Sequence, residues 1–256
     1  MDWSFILQQC ALLCLGAALG FFGGVFGIGG GIIAVPLFVL GFGMDQALAQ
    51  GTALVLMVPN LMIAWWRYNK KHQAPIRLAL GIAATGTLTT GLSAQIAVGL
   101  DQSVLHALFN SFLLIVGCRQ LLQGAHSPHA QQHSPLSTRT QLAIPVVGVL
   151  GGACMGLLGL GGALVSTPIL NGLLQLSQTL AQSLSLALVF PSSAMALASY
   201  THTGHVDWQI GLPLAIGGLF SVSAGVNLAH RLPEHTMRRA FACLMIITAL
   251  WLFIRG

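Results

Sequence analysis

Phe26-Gly27-Ile28-Gly29-Gly30-Gly31, followed by Val35-Pro36-Leu37, returns 132 residues later as Leu158-Gly159-Leu160-Gly161-Gly162-Ala163 and Thr167-Pro168-Ile169. Residues 16–68 align with 148–200 without a gap and share 16 of 53 positions. The identities include Gly16/Gly148, Gly20/Gly152, Gly24/Gly156, Pro36/Pro168, Gln46/Gln178, Gln50/Gln182, Pro59/Pro191 and Tyr68/Tyr200. Two like halves in an apolar chain are the sequence mark of a transporter whose site lies where the halves meet.

The composition requires a membrane. Apolar residues make up 55% of the 256 and charged residues 6%, against about 25% charge in soluble domains. Mean hydropathy is +0.82. A soluble surface cannot be built from so few polar groups. The net charge of +5 is therefore not a nucleic-acid signature, because basic residues in such chains mostly set orientation. No cleavable signal peptide is expected, since the first apolar run lacks a basic leader and recurs later as a structural element.

Apolar runs and their punctuation predict an all-α membrane protein with helices near 5–22, 30–43, 46–66, 76–99 and 104–121. In the second half they fall near 142–157, 162–175, 178–198, 208–230 and 237–254. The expected organisation is a first repeat over 1–121, a cytoplasmic linker over 122–141 and a second repeat over 142–256. The first two helices of each repeat read as short or broken at the glycine motif, hence half-helices or tilted spans. The linker is polar and Pro-interrupted; its His126, His129 and His133 read as solvated loop rather than a metal site.

Charge gives the orientation. Arg67, Lys70, Lys71 and Arg77 cluster after the third helix, while the matching stretch in the other half, Ser199 to His205, has no Lys or Arg. The bias flips again between Leu100-Asp101-Gln102 and Arg231 to Arg239. An odd number of crossings per half produces such a flip, so the halves are read as inverted-topology repeats. Both termini are then outside and the linker inside, which puts nine of the ten Lys/Arg in the cytoplasm. Five plus five crossings fit, as do three plus three with a re-entrant hairpin opening each half.

The candidate site is built from neutral donors. Glycines at Gly29, Gly30, Gly31, Gly161 and Gly162 let the backbone leave helical geometry. The helix that follows begins with unpaired N–H groups at a positive dipole end, an anion-binding arrangement. The alternative is that these glycines only permit close packing. The stripe Gly16-Gly20-Gly24, with Gly148-Gly152-Gly156, is assigned to helix packing. Gln50, Thr52, Gln182, Ser183 and Ser185 are expected to line the site, with Asn60 and Ser192 after the two prolines as secondary candidates. The alternative for each is an interhelical hydrogen bond worth about 0.6 kcal/mol. No predicted span carries Asp, Glu, Lys or Arg at its centre, which argues against cation transport and carboxylate-based proton coupling. The five cysteines read as small buried residues, and neither a metal nor any cofactor is expected.

The doubled glycine motif with its P-[LI], the Gln-containing helix start, the turn Gly204-His205-Val206-Asp207-Trp208 and the closing Arg231-Leu232-Pro233-Glu234 with Arg238-Arg239 together resemble the TauE/SafE sulfite-exporter family over nearly the whole chain. The resemblance implies a bacterial inner-membrane carrier of sulfur-containing anions: sulfite, sulfoacetate or another organosulfonate. Its partners would be a small anionic substrate and the lipid bilayer, not nucleic acid, in a monomer or homodimer. Ala163 for Gly31 and Leu184 for Thr52 make the two half-sites chemically unequal. The rival readings are an anion channel and a non-transport membrane protein, either an enzyme or a metal-handling assembly factor.

Overall fold

The computed structural model describes residues 3–26, 29–71, 75–122, 138–160, 162–170, 174, 176, 178–229 and 234–255. Within them the chain is helical throughout, in ten helices: α1 (Trp3–Phe26), α2 (Gly31–Phe42), α3 (Gln46–Lys71), α4 (Ile76–Val98), α5 (Gln102–Leu122), α6 (Thr138–Leu158), α7 (Gly162–Pro168), α8 (Gln178–His202), α9 (Trp208–Ala229) and α10 (Glu234–Arg255). The run from His126 to His133 lies outside the described residues. Among the described residues, four helices are long and apolar enough to span a bilayer by length and composition, within Ile6–Phe26, Gln46–Arg67, Leu180–His202 and Trp208–Leu228. Large apolar side chains such as Leu88, Ile115, Phe220, Phe253 and Ile254 stand exposed on the outside. In lipid such a face is the favoured one.

The expectation of two short helices opening each half holds only for the second of them. Helix α1 has 24 residues and α6 has 21, whereas α2 has 12 and α7 only 7. The glycine stripe lies wholly within helices α1 and α6, as its packing role requires. Neighbouring backbones pack on it and compensate for the low helix propensity of glycine.

The stripe also shows how the halves interlock. A Cβ at Gly16, Gly20 or Gly24 would strike the backbone of Leu214, Gly218 or Val222 on α9. One at Gly148, Gly152 or Gly156 would meet Ile82, Gly86 or Thr90 on α4. Each of these contacts maps onto its counterpart by the same 132-residue shift. The first helix of each half therefore lies along the fourth helix of the other. Thr90 Oγ1 donates to the Gly152 carbonyl at 3.0 Å, with Ser93 Oγ donating to the same oxygen at 3.3 Å.

The order of contacts gives helix directions. Gly51 meets the His205 carbonyl, Val55 meets Gly211, and Leu56 with Asn60 meets Gly218, so α3 runs parallel to α9. By the same logic α1 is parallel to α9, and α4 is parallel to α6 and to α8 (Gly86 on Leu188, Gly91 on Met195). Helices α3 and α8 run antiparallel: Gln50 near the start of α3 meets Tyr200 near the end of α8, and Trp65 stacks on Phe190. Helices α1, α3 and α9 thus run one way, and α4, α6 and α8 the other. The α3/α8 pair forms the centre of the bundle, with most of each span buried.

Candidate substrate site

Helix α2 begins in the interior. Gly29 and Gly30 have φ of 71° and 92°, a region L side chains rarely adopt. A Cβ on Gly30 would lie 2.8 Å from the Leu19 carbonyl, and one on Gly29 would lie 3.0 Å from Leu61 Cγ. Gly31 packs on the Met57 sulfur. Leu56 to Leu61 lie midway along α3, so the chain turns back beside α1 and starts α2 halfway through the bundle. Proline at 36 sits inside α2, and Gly43 ends the helix in the left-handed conformation, with its N–H bonded to the Phe38 carbonyl.

No side chain caps the start of α2. The amides of Ile33 and Ala34 donate to the Gly30 carbonyl at 3.2 and 3.1 Å. The donors ahead of them carry the positive end of the helix dipole. In the second half Gly162 packs against Val189 and the Gly151 carbonyl, midway along α8. Helix α7 therefore starts at the matching level, but it is too short to accumulate a comparable dipole. Gly161 lies outside the described residues.

On the stretch of α3 that packs on the α2 start lies Asn60, whose amide stands against Gly218 of α9. It is fully buried, and neither amide atom has a hydrogen-bond partner. Its repeat counterpart, Ser192, is also fully buried with its hydroxyl unpartnered. Each follows the proline of its helix, Pro59 or Pro191. A buried polar group without a partner costs about 1–3 kcal/mol, and these two occupy repeat-related positions.

The other sequence-predicted residues fall elsewhere. Gln50 does not sit beside its own half's glycine break. Its side chain packs against Gly159, in the break of the other half, and its Oε1 accepts a 2.7 Å bond from the Tyr200 hydroxyl. That hydroxyl also lies 3.3 Å from the Gly156 carbonyl. Ten residues separate Gln50 from Asn60, about 15 Å along the helix. Thr52 Oγ1 accepts the Asp207 amide at 3.0 Å, tying α3 to the turn before α9. Ser185 Oγ accepts bonds from Ser166 and Thr167 at 2.8 and 2.9 Å, linking α8 to α7. Ser183 is buried and Gln182 half-buried, both near the start of α8.

Sequence reasoning did not single out Gln46 or Tyr200. Gln46 is fully buried with both amide atoms unpartnered, and the Nε2 of Gln50 one turn later is unpartnered too. The signal was present, since Gln46/Gln178 and Tyr68/Tyr200 are repeat identities. Among the described residues, the buried polar set contains hydroxyls and amides and no charged group, and no cluster suited to a metal ion occurs.

A bundle of apolar helices with an uncharged polar interior defines a multi-pass membrane protein. The family described as Sulfite exporter TauE/SafE matches residues 12–252, and the chain belongs to it. The chain is 29% identical to a "Probable membrane transporter protein" of Xylella fastidiosa (strain 9a5c), over 94% of this chain and 93% of that one. It is 24% identical to a probable membrane transporter protein of Methanocaldococcus jannaschii, over 99% and 98%. A third similar protein, the "Probable membrane transporter protein YunE" of Bacillus subtilis, is 22% identical over 96% and 97%. No solved structure matches the chain. Family and relatives place it among membrane transporters.

Proposed function

We propose that this protein carries sulfur-containing anions, such as sulfite, sulfoacetate or another organosulfonate, across a bacterial inner membrane by alternating access. The observation that carries the proposal is the uncapped start of α2 at mid-bundle, packed on the stretch of α3 that carries the unpartnered amide of Asn60. Such donors suit an oxoanion, whose oxygens accept several hydrogen bonds at once. The family's description as a sulfite exporter supports the sulfur-anion class.

The opposed directions of α3 and α8, with contacts that repeat on exchanging the halves, support two inverted repeats rocking about a central site. On this reading Gly30, Gly31 and Asn60 hold the anion from the first half, with Gly162 and Ser192 facing it from the second. Gln50 and Tyr200 join the halves at the outer end. That bond closes one access route, which favours a carrier over an open channel. The end bearing Arg67, which donates to Asn227 Oδ1 at 3.3 Å, is cytoplasmic on the positive-inside rule. Both termini lie outside.

The test is uptake by purified protein in liposomes, comparing labelled sulfite and a short organosulfonate with chloride and a carboxylate. Saturable uptake confined to the sulfur anions is expected. Equal flux of chloride, or none of any anion by folded protein, would overturn the proposal.

A further inference from the structure

We propose a second anion position under the outer gate, formed by the carboxamides of Gln46 and Gln50 on α3. It holds the sulfonate or sulfite group of the substrate next to the Tyr200–Gln50 bond. This rests on the transport reading above and adds a position to the path between mid-bundle and the outer face.

Three buried polar atoms carry the assignment. Gln46 is fully buried with neither Nε2 nor Oε1 bonded, and Gln50 is fully buried with its Nε2 unbonded. The two residues are four apart on one helix, so their side chains are neighbours on the same face of α3. Buried amides nearly always have partners. Three partnerless atoms on adjacent turns of one face mark a place that a ligand fills.

Both halves build this place. Gly159 has φ of 65°, and a Cβ there would lie 2.9 Å from Gln50 Cβ. The turn between α6 and α7 is thus laid against the Gln50 side chain. From α8 the Tyr200 hydroxyl donates to Gln50 Oε1 at 2.7 Å and lies 3.3 Å from the Gly156 carbonyl. With Oε1 engaged, Nε2 is the free end of the carboxamide. Tyr200 is therefore a positioning residue, which presents a donor to the anion without touching it.

The chemistry suits an oxoanion. Each amide nitrogen brings two N–H donors, so the pair can hold two oxygens of one sulfonate or sulfite group. Gln46 Oε1 remains for a water that travels with the anion. Asp45, one residue ahead, is exposed. Its charge is screened by solvent, and its sign opposes capture from outside and favours release.

Gate and clamp are linked. The outer end is shut on Gln50, while the repeat counterpart Gln182 is only half-buried. When Tyr200 withdraws, Gln50 loses the bond that orients it, so the clamp loosens as the gate opens. Gln50 lies about 15 Å along α3 from Asn60, far enough for both positions to be filled at once.

Equilibrium dialysis of labelled methanesulfonate against the purified full chain in detergent counts the positions. Wild-type protein should bind two per chain and Gln46→Ala one. The thermal midpoint of Gln46→Ala should not fall, because neither amide atom bonds to the protein. Gln46→Met, which keeps the side-chain length, takes its place if the alanine protein does not fold. One per chain in the wild type and none in the variant supports the clamp and removes the mid-bundle position. Equal numbers in wild type and variant overturn the clamp and leave the transport reading standing. No binding to folded wild-type protein removes both. In Tyr200→Phe the Gln46-dependent position should weaken about tenfold, the loss of one oriented bond to a charged group, while the other keeps its affinity. Equal weakening of both, or of neither, overturns the positioning role.

Discussion

Tyr200→Phe removes one oxygen from the α3–α8 contact near the start of α3 and tests whether the halves are latched there. Tyr200 is fully buried on α8, and its hydroxyl donates at 2.7 Å to Gln50 on α3. Phenylalanine keeps the ring and its packing but leaves Gln50 Oε1 without a partner, next to an Nε2 that has none. Interhelical hydrogen bonds in membranes average about 0.6 kcal/mol and reach about 1.7, and a stranded buried acceptor costs about 1–3. A short bond between two fully buried groups belongs near the top of the first range, so the expected loss is about 1.5 kcal/mol. If the bond exists only in the state closed at this end, that energy shifts the closed-to-open ratio about tenfold. The assay is labelling of Gln46→Cys by a membrane-impermeant thiol reagent added from outside, with the five native cysteines replaced. Position 46 is fully buried in this structure, so labelling reports opening. Labelling should be about tenfold faster in the Tyr200→Phe background, with a lower thermal midpoint. An unchanged rate and midpoint would refute the latch.

Further outcomes follow from the same packing. Gly30→Leu and Gly162→Leu should abolish uptake while leaving membrane insertion intact, since a side chain at either position meets backbone or a buried wall within 3.0 Å; wild-type flux in both would exclude the glycine breaks from the site. Gly20→Val and Gly152→Val should lower the thermal midpoint by similar amounts, because they occupy exchange-related positions against Gly218 and Gly86; a large effect in one and none in the other would show that the stripe packs only one half. Thr52→Val should cost about 1–2 kcal/mol in unfolding experiments by leaving the Asp207 amide unbonded, while Thr52→Ser restores it.

The helices were legible because lipid leaves the backbone few options: a polar main chain in hydrocarbon must bond to itself, so apolar runs between polar turns become helices. The run read as 46–66 became Gln46–Lys71, extended by the basic turn that reaches the interface. The run read as 5–22 grew to Trp3–Phe26 because Gly23 and Gly24 pack on neighbouring backbone and stay helical. Helix α7 stopped at Pro168, well short of the expected 175, as its chain widens into a looser turn at Ile169–Leu170. The site was legible only in part. Glycine with positive φ announces itself in sequence, and so does a duplicated break. Partner choice does not, because it depends on which half supplies the facing helix. The sequence puts Gln50 near a glycine break but does not say which; it packs on Gly159, in the break of the other half, and bonds Tyr200, 150 residues away. A sequence cannot show that Gln50 Oε1 has a partner while neither amide atom of Asn60 does.

Counterflow across proteoliposomes most directly tests a saturable carrier of sulfur-containing anions. Vesicles preloaded with excess unlabelled sulfite or organosulfonate are diluted into a trace of the labelled anion. A carrier that exposes one site alternately to each side will accumulate label transiently inside, above its equilibrium level, and Gly30→Leu will abolish the overshoot. Entry of label to equilibrium without overshoot, at a rate indifferent to preloading, would contradict alternating access and indicate a channel.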